Sequence, residues 1–329
     1  MSRAGGSCAF EHHTVRPGEF CDHPAVPTLS YRDPPANCAA LRSALYAGDI
    51  VRFAALPSMA ALAALSRAFV EERLAPHDPV EIHRHLRPDA LARRLSEAQR
   101  EYSGSSEVKR SWRALLERVG LDPEDTARDR LVLRFQVHSD LGAAAPHARS
   151  TATVGFHRDS WGTNLPAQVN WWAPVWPITA ERTFAIYPAL WDEAVPNDSE
   201  RFDLADVMER VRSAPETLGA GALAPRPSIA VDPSGGVPVV IEPGEIIAFS
   251  SAHAHAGIPN HSGLTRISLE TRTVSIEDVR AGRGAPNVDG RARWAAPGLF
   301  RRLSDGAALN LLLGVDRLIM RGAGEAGRW

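Results

Sequence analysis

In the stretch FHRDSWG (156–162), His157 and Asp159 stand two residues apart in a segment that reads as a β-strand. Side chains alternate faces along a strand, so both would point the same way and could grip one object. Two histidines and one carboxylate form the facial triad that holds Fe(II) and leaves positions open for other ligands. A third ligand must come from a distant strand that ends beside the pair, and FSSAHAHAGIPN (249–260) offers His253 and His255, again in alternation. An H-x-D alone is common and is usually a satisfied polar pair at a strand end. What raises this one above that bland reading is its conjunction with a distal histidine after the turn EPGE (242–245) and with Arg266 and Ser268 on the following strand.

The elements that must position these residues are legible to different degrees. Leu131, Leu133, Phe135 and Val137 alternate with Val132, Arg134, Gln136 and His138 in DRLVLRFQVHS (129–139). Further strand candidates are GDIVRFAA, TVGFHRDSW, AQVNWWAPVW, RTFAIYP, VPVVIEPGEIIAFSSAHAH and LTRISLETRTVS. Helical spacing of Met59, Leu62, Leu65, Phe69, Val70 and Leu74 predicts a helix from Ser58 to Leu74, entered through Pro57. A second is expected after Pro88, and a third from Ser105 or Ser106 to Gly120. Many strands without βαβ alternation predict a mainly β protein, a sandwich or barrel with flanking helices. The polar stretch 192–236 reads as an insertion with a modest helix near Leu204–Val211, and a closing helix is expected over Leu309–Met320.

With these residues in view, the chain resembles the Fe(II)/2-oxoglutarate-dependent oxygenases, and among them the phytanoyl-CoA hydroxylase-like branch. The motifs that carry the resemblance lie between about residues 129 and 275. In that family the distal histidine is followed by Asn about five residues on and Arg about eleven on, which selects His255 with Asn260 and Arg266. His157, Asp159 and His255 would then be the metal ligands, with His253 nearby or facing substrate. The resemblance implies a double-stranded β-helix, a cupin-like jelly roll, in a single oxygenase domain over 1–329: an irregular arm (1–37), a helical part (38–128), the barrel (129–275) and a C-terminal segment (276–329). It also implies Fe(II), 2-oxoglutarate as cosubstrate and O2, oxidising an unactivated C–H bond of a small molecule by hydroxylation, desaturation or cyclisation. Relatives that halogenate lack the carboxylate ligand, so Asp159 disfavours halogenation.

Arg266 has a physical rationale of its own. The far carboxylate of a dicarboxylate needs a buried cation, and a guanidinium supplies two parallel hydrogen bonds where an ammonium cannot. Ser268, two residues on, shares its face and adds a donor. Gln168, Asn170 and Trp172 share one strand face; inward they would line the cosubstrate pocket, and otherwise Val169 and Trp171 would. Arg134 and its face-mates would reach substrate or cosubstrate, or lie on a solvated outer face. Trp161, Trp171, Trp172 and Trp176 are candidates for an aromatic mouth or for core filling, and Trp161 is a substrate-contact candidate.

Several classes are disfavoured. Net charge is −2 with no basic patch, which argues against nucleic acid, and no apolar run is long enough to span a bilayer. The opening MSRAGGSCAFEHH lacks an apolar core like that of a secretory signal, so the cytoplasm is the expected compartment. Lys109 is the only lysine, which makes Schiff-base chemistry improbable, and the Arg, Ala, Gly and Pro bias fits the codon usage of a GC-rich genome; an unadorned single-domain enzyme fits a small-molecule substrate in bacterial specialised metabolism. Cys8, Cys21 and Cys38 read as reduced thiols, and Cys8, His12, His13, Cys21 and His23 match no metal-site spacing. GAGALA (219–224) and GAGEAG (322–327) open no helix after a strand, and HRH (83–85) reads as surface or entrance histidines. The rival reading is a cupin-like metalloenzyme with non-oxidative chemistry, which would not need Arg266 and Ser268.

Overall fold

The structure is a computed structural model that describes residues 29–54, 56–139, 153–213 and 224–320, without the side chains of 211 and 212. The cysteine- and histidine-bearing segment 8–23 and the run GAGEAG lie outside the described residues, as does all of GAGALA except its final residue. Among the described residues no helix is long and apolar enough to cross a membrane.

The chain is mainly antiparallel sheet with helices. Four helices come early: α1 (Cys38–Tyr46), α2 (Pro57–Leu74), α3 (Pro88–Gly104) and α4 (Ser106–Arg118). Pro57 and Pro88 sit in first turns, where the missing N–H costs nothing, and the Ser105 hydroxyl caps α4 by accepting from the Val108 amide. Their buried stripes, such as Met59, Leu62, Val70 and Leu74 on α2 and Val108, Trp112, Leu115 and Leu116 on α4, follow the 3.6-residue period.

The strands are β1 (Val51–Phe53), β2 (Thr126–Arg128), β3 (Val132–Gln136), β4 (Val169–Pro174), β5 (Phe184–Ile186), β6 (Val237–Pro238), β7 (Ile246–Ser250), β8 (His255–Gly257), β9 (Arg266–Ser275), β10 (Trp294–Ala295), β11 (Arg301–Arg302) and β12 (Ile319–Met320). A large antiparallel sheet runs β1-β7-β4-β9-β2-β11, with β3 also paired to β9. A small sheet runs β6-β5-β8, and β10 pairs with β12. The EPGE turn, with Gly244 at φ +100, carries the chain from the small sheet to the large one instead of closing a hairpin within either.

Alternation on the large sheet decides where the core and the site lie. Leu133, Phe135, Trp171, Ile267 and Leu269 face the helices and join α2–α4 in the main hydrophobic cluster. The opposite face sends Trp172, Ile247 and Phe249 against Phe184, Ile186 and Val239 around the small sheet. Arg134, Gln136, Arg266, Ser268 and Glu270 occupy that same inner face, registered as Arg134 opposite Ser268 and Gln136 opposite Arg266.

Three expectations need correction. TVGFHRDSW forms no regular strand: His157 makes one isolated bridge to His255, and the chain turns helical at Asp159 into the short α5 (Ser160–Thr163). The inserted helix is present as α6 (Leu204–Ser213), and α7 (Ile276–Ala281) follows β9 directly. The closing helix shrinks to α8 (Leu309–Leu312), because Gly314, at φ +69, ends it and the chain goes on to β12. HRH is not wholly surface either: His83 is buried, its Nδ1 3.0 Å from the Thr265 hydroxyl.

The two faces of β3 predict different responses to truncation. Leu133→Ala, in the helix-facing core, should cost about 2–5 kcal/mol, whereas Val132→Ala, half-buried on the inner face, should cost about 1 kcal/mol or less. Denaturant midpoints of the two variants measure this; equal losses would contradict the assignment of faces.

Candidate metal and cosubstrate site

His157, Asp159 and His255 come together with ligand atoms all within 4.8 Å of one another. The Nε2 atoms of His157 and His255 lie 3.8 Å from Asp159 Oδ1 and Oδ2 respectively. That is too long for a hydrogen bond. Neighbouring ligands about one cation with bonds of ~2.0–2.2 Å are separated by about 3–3.5 Å, so the three groups close on an ion with shifts below about 1 Å. The pair does not need a regular strand. The His157–His255 bridge, with reciprocal backbone hydrogen bonds of 3.0 and 2.9 Å, brings the rings together, and the helical turn at Asp159 swings the carboxylate back toward them.

Tautomers follow from the partners. His157 Nδ1 donates to the Gly155 carbonyl at 2.8 Å and His255 Nδ1 donates to the His253 carbonyl at 3.0 Å, since a carbonyl can only accept. In each neutral ring the Nε2 lone pair is therefore free and faces Asp159, the arrangement a metal-ligating imidazole requires. Burial, with the neighbouring His255 ring, pushes His157 down to about 4 against the pull of Asp159. Burial works to raise the Asp159 carboxyl, but His255, His157, Arg272 and a 2.6 Å hydrogen bond from the Asn170 amide outweigh it and hold the carboxyl below its ordinary range. At neutral pH the donor set is one neutral imidazole and an ionised carboxylate beside a second imidazole, which suits a divalent cation.

Of the inner-face residues, Asn170 holds Asp159 and is itself held by Gln168, whose Nε2 donates to Asn170 Oδ1 at 3.0 Å. Trp172 packs beside Phe184, and its indole N–H has no partner among the described residues. Arg266 is buried, and its Nε and Nη1 have no hydrogen-bond partner among the described residues. Burial pushes its guanidinium down to about 10, so it remains a cation. The Gln136 and Gln168 side-chain oxygens are likewise buried without partners. Unpaired buried polar atoms each cost about 1–3 kcal/mol, so their concentration on one inner face fits a cradle for a polar ligand, and the orphaned Arg266 donors fit a carboxylate. Ser268 is fully buried beside them, with its hydroxyl 3.5 Å from Glu270. Arg134 is not free: its Nε donates to Glu270 at 2.6 Å.

Two substrate-contact candidates lie elsewhere. The His253 side chain turns from the ligand group to the Gly48 carbonyl (3.1 Å) and stacks against Trp191, so only its backbone carbonyl serves the site. Trp161 is fully buried and donates to Asp289 at 2.6 Å, so it lines no mouth. Asn260, singled out by its offset from His255, anchors the loop into β9 by donating to the Gln136 and Leu264 carbonyls.

Asp289, a residue sequence reading passed over, holds the ligand loop in place. Its carboxylate accepts from Arg158 Nε (3.0 Å), from Trp161 and from the Val195 amide (3.1 Å). Arg158, between the two ligands of the H-x-D, also donates to the Ala252, Leu190 and Glu193 carbonyls. The ligand loop, the start of the insertion and the C-terminal segment thus meet at one buried ion pair. PNVDGR carries no metal or catalytic spacing, and only its single acidic residue hinted at this role.

No family model and no curated protein matches the sequence. Among solved structures, similarity extends to EvdO2 from Micromonospora carbonacea var. aurantiaca complexed with 2-oxoglutarate (14% identity, 71% of this chain and 89% of that one, TM-score 0.41). It extends also to the epimerase SnoN in complex with Fe3+, alpha ketoglutarate and nogalamycin RO (14% identity, 73% and 85%, TM-score 0.37). A third is the non-heme alpha ketoglutarate dependent carbocyclase SnoK from nogalamycin biosynthesis (15% identity, 71% and 83%, TM-score 0.36). At such identities and TM-scores the likeness assigns no reaction to this chain.

Two outcomes follow from the site's electrostatics. Asp289→Ala would strand Arg158 as a buried unpaired cation and should destabilise the protein by about 3–5 kcal/mol by chemical denaturation; a loss below about 1 kcal/mol would remove the ion pair from its place in the loop's support. His157 and His253 are both held neutral down to about 4 by burial, while in the unfolded chain they take up a proton near 6.5. The unfolded state therefore binds more protons between these values, and metal-free protein should lose stability as pH falls from about 6.5 to 4. Denaturant midpoints at pH 7.5 and 5 measure the loss, and His253→Gln should reduce it.

Proposed function

We propose that the chain is an Fe(II)/2-oxoglutarate-dependent oxygenase that oxidises a small molecule, with a jelly-roll core and a single catalytic domain. The observation that carries this reading is the conjunction, on one inner face, of a His–Asp–His group with two free Nε2 lone pairs and a buried arginine with unpartnered donors. His157, Asp159 and His255 would hold the metal. Arg266 and Ser268 would take the far carboxylate of the cosubstrate, and Gln168, Asn170 and Trp172 would line its pocket. Iron with 2-oxoglutarate supplies the oxidising chemistry when bound; the chain's part is to keep His157 and Asp159 deprotonated, orient both substrates and exclude water.

Individual residues do this work. The Gly155 and His253 carbonyls fix the two ring orientations, Asn170 keeps one Asp159 oxygen in place, and the apolar wall of Trp172, Phe184 and Phe249 encloses the His255 side. The offsets of Asn260 and Arg266 from His255 favour the phytanoyl-CoA hydroxylase-like branch. Asp159 as a ligand favours hydroxylation, desaturation or cyclisation. A cupin-like non-oxidative metalloenzyme is the weaker reading, because it gives the orphaned Arg266 donors no purpose.

The test needs no substrate. Without oxygen, Fe(II) plus 2-oxoglutarate should give a visible metal-to-ligand charge-transfer band, and Arg266→Ala should weaken cosubstrate binding by at least about tenfold. Folded, iron-loaded wild type that gives no band would overturn the cosubstrate assignment.

A further inference from the structure

Arg130, Arg134, Arg266 and Arg272 lie on or beside the inner face of the large sheet near the ligand group, and only one of them is needed for the cosubstrate. Arg134 is spent on Glu270 and Arg266 faces the pocket, while Arg272 donates to Asp129 and lies 3.9 Å from Asp159. The fourth, Arg130, sits where β2 and β3 are joined. Arg128 pairs with Thr273 and Val132 with Glu270, so four steps on one strand oppose three on the other. That is a β-bulge, which re-aims side chains at a sheet margin. The Asp129 amide bonds the Arg272 carbonyl and the Thr271 hydroxyl bonds the Arg130 carbonyl, which sets Arg130 across from Thr271 and Arg272. Leu131, the next residue, is buried in the helix-facing core, and the charges around Arg130 are Asp129, Arg272, Arg134 and Glu270, all at the inner-face margin.

The like charges of Arg130 and Arg272, on either side of the bulge, repel. One carboxylate, Asp129, is shared between them, and Arg130 remains exposed to solvent without a side-chain partner among the described residues. Counting the whole inner-face group, Arg130, Arg134, Arg266 and Arg272 oppose Asp129, Glu270 and Asp159 and leave one positive charge in excess. The metal's own charge does not cancel it.

We propose that Arg130 and Arg272 bind an oxyanion on the primary substrate, so that the substrate class is a small organic molecule bearing a carboxylate or a phosphate ester. This rests on the oxygenase reading above for calling the bound molecule a substrate. The planar fork of each guanidinium suits either oxyanion, and placement beside Asp159 would hold the rest of the molecule against the metal group.

The experiment uses the full chain loaded with Fe(II) and 2-oxoglutarate without oxygen, and titrates phenylacetate, phenyl phosphate and neutral phenylacetamide by calorimetry while the visible band is recorded. One or both anions should bind at least about tenfold more tightly than the amide, and Arg130→Ala should remove about ten- to hundredfold of that preference. The stronger of the two anions identifies carboxylate or phosphate. The 2-oxoglutarate midpoint should stay within about twofold in Arg130→Ala, against the large shift expected for Arg266→Ala. Equal binding of acid and amide, no binding of either anion, or an Arg130→Ala preference equal to wild type would each overturn the proposal with the band still present. A raised 2-oxoglutarate midpoint in Arg130→Ala would overturn it by assigning the pair to the cosubstrate. If the band never forms, the oxygenase reading fails separately, and the same calorimetry on unloaded protein still decides the oxyanion site.

Discussion

One ten-residue strand has to be core on one side and chemistry on the other, and the rest of the structure answers to that. On β9, Ile267 and Leu269 are packed under α2–α4 while Arg266, Ser268 and Glu270 project to the inner face. A charge taken out of water is costly unless another charge or a hydrogen bond meets it. Glu270 is met by Arg134 from β3, and Arg272 by Asp129 from the bulge that precedes it. Arg266 is met by less, and that difference singles it out: the fold has compensated its neighbours and left two of its donors open. A one-residue slip of β9 against β3 would send the arginines into the helix-facing core, so the ion pairs also fix register.

The ligand group depends on a second arrangement, built from main chain more than from side chains. Both histidines are oriented by carbonyls, those of Gly155 and His253, and the two ligand segments are tied by reciprocal backbone bonds. Such positioning is insensitive to the identity of nearby side chains, provided the loop cannot drift. Arg158 and Asp289 prevent drift, since a single buried ion pair joins the ligand loop to the insertion and to the C-terminal segment. The insertion therefore starts from a fixed point beside the metal group, whatever it does further along.

Much of this was legible in the residue pattern, and the limits have physical causes. Helices α2, α3 and α4 announce themselves through long periodic stripes and proline or serine starts; the alternation of residues 131–138 separates two faces, and the two-residue step puts Arg266 and Ser268 together, but which face is inward comes only from the structure. The H-x-D failed as a strand because two residues are too few to distinguish alternation from a turn: Asp159 reaches its neighbours by leaving the extended conformation. His253 and His255 look equivalent in AHAHA, and what separates them is tertiary: Gly48 and Trp191 lie on one side and Asp159 on the other. Asp289 was invisible for the same reason, since its partners lie 94 to 131 residues away.

Orphaned donors and surplus charge are the informative features here because packing alone does not explain them. An apolar residue at position 266 or 130 would fold as well or better, since it would carry neither an unpaired donor nor a repulsive cross-strand neighbour. A chain that keeps a buried guanidinium with two donors unpartnered among the described residues, and sets a further arginine beside an already paired one, holds free energy that a bound anion would recover. The buried arginine lies on the inner face and the cross-strand pair lies at its margin beside Asp159. On the proposed reading they would be two anion positions of different depth about the His157–Asp159–His255 group: the buried one for a fixed cosubstrate, the exposed one for a molecule that must enter and leave.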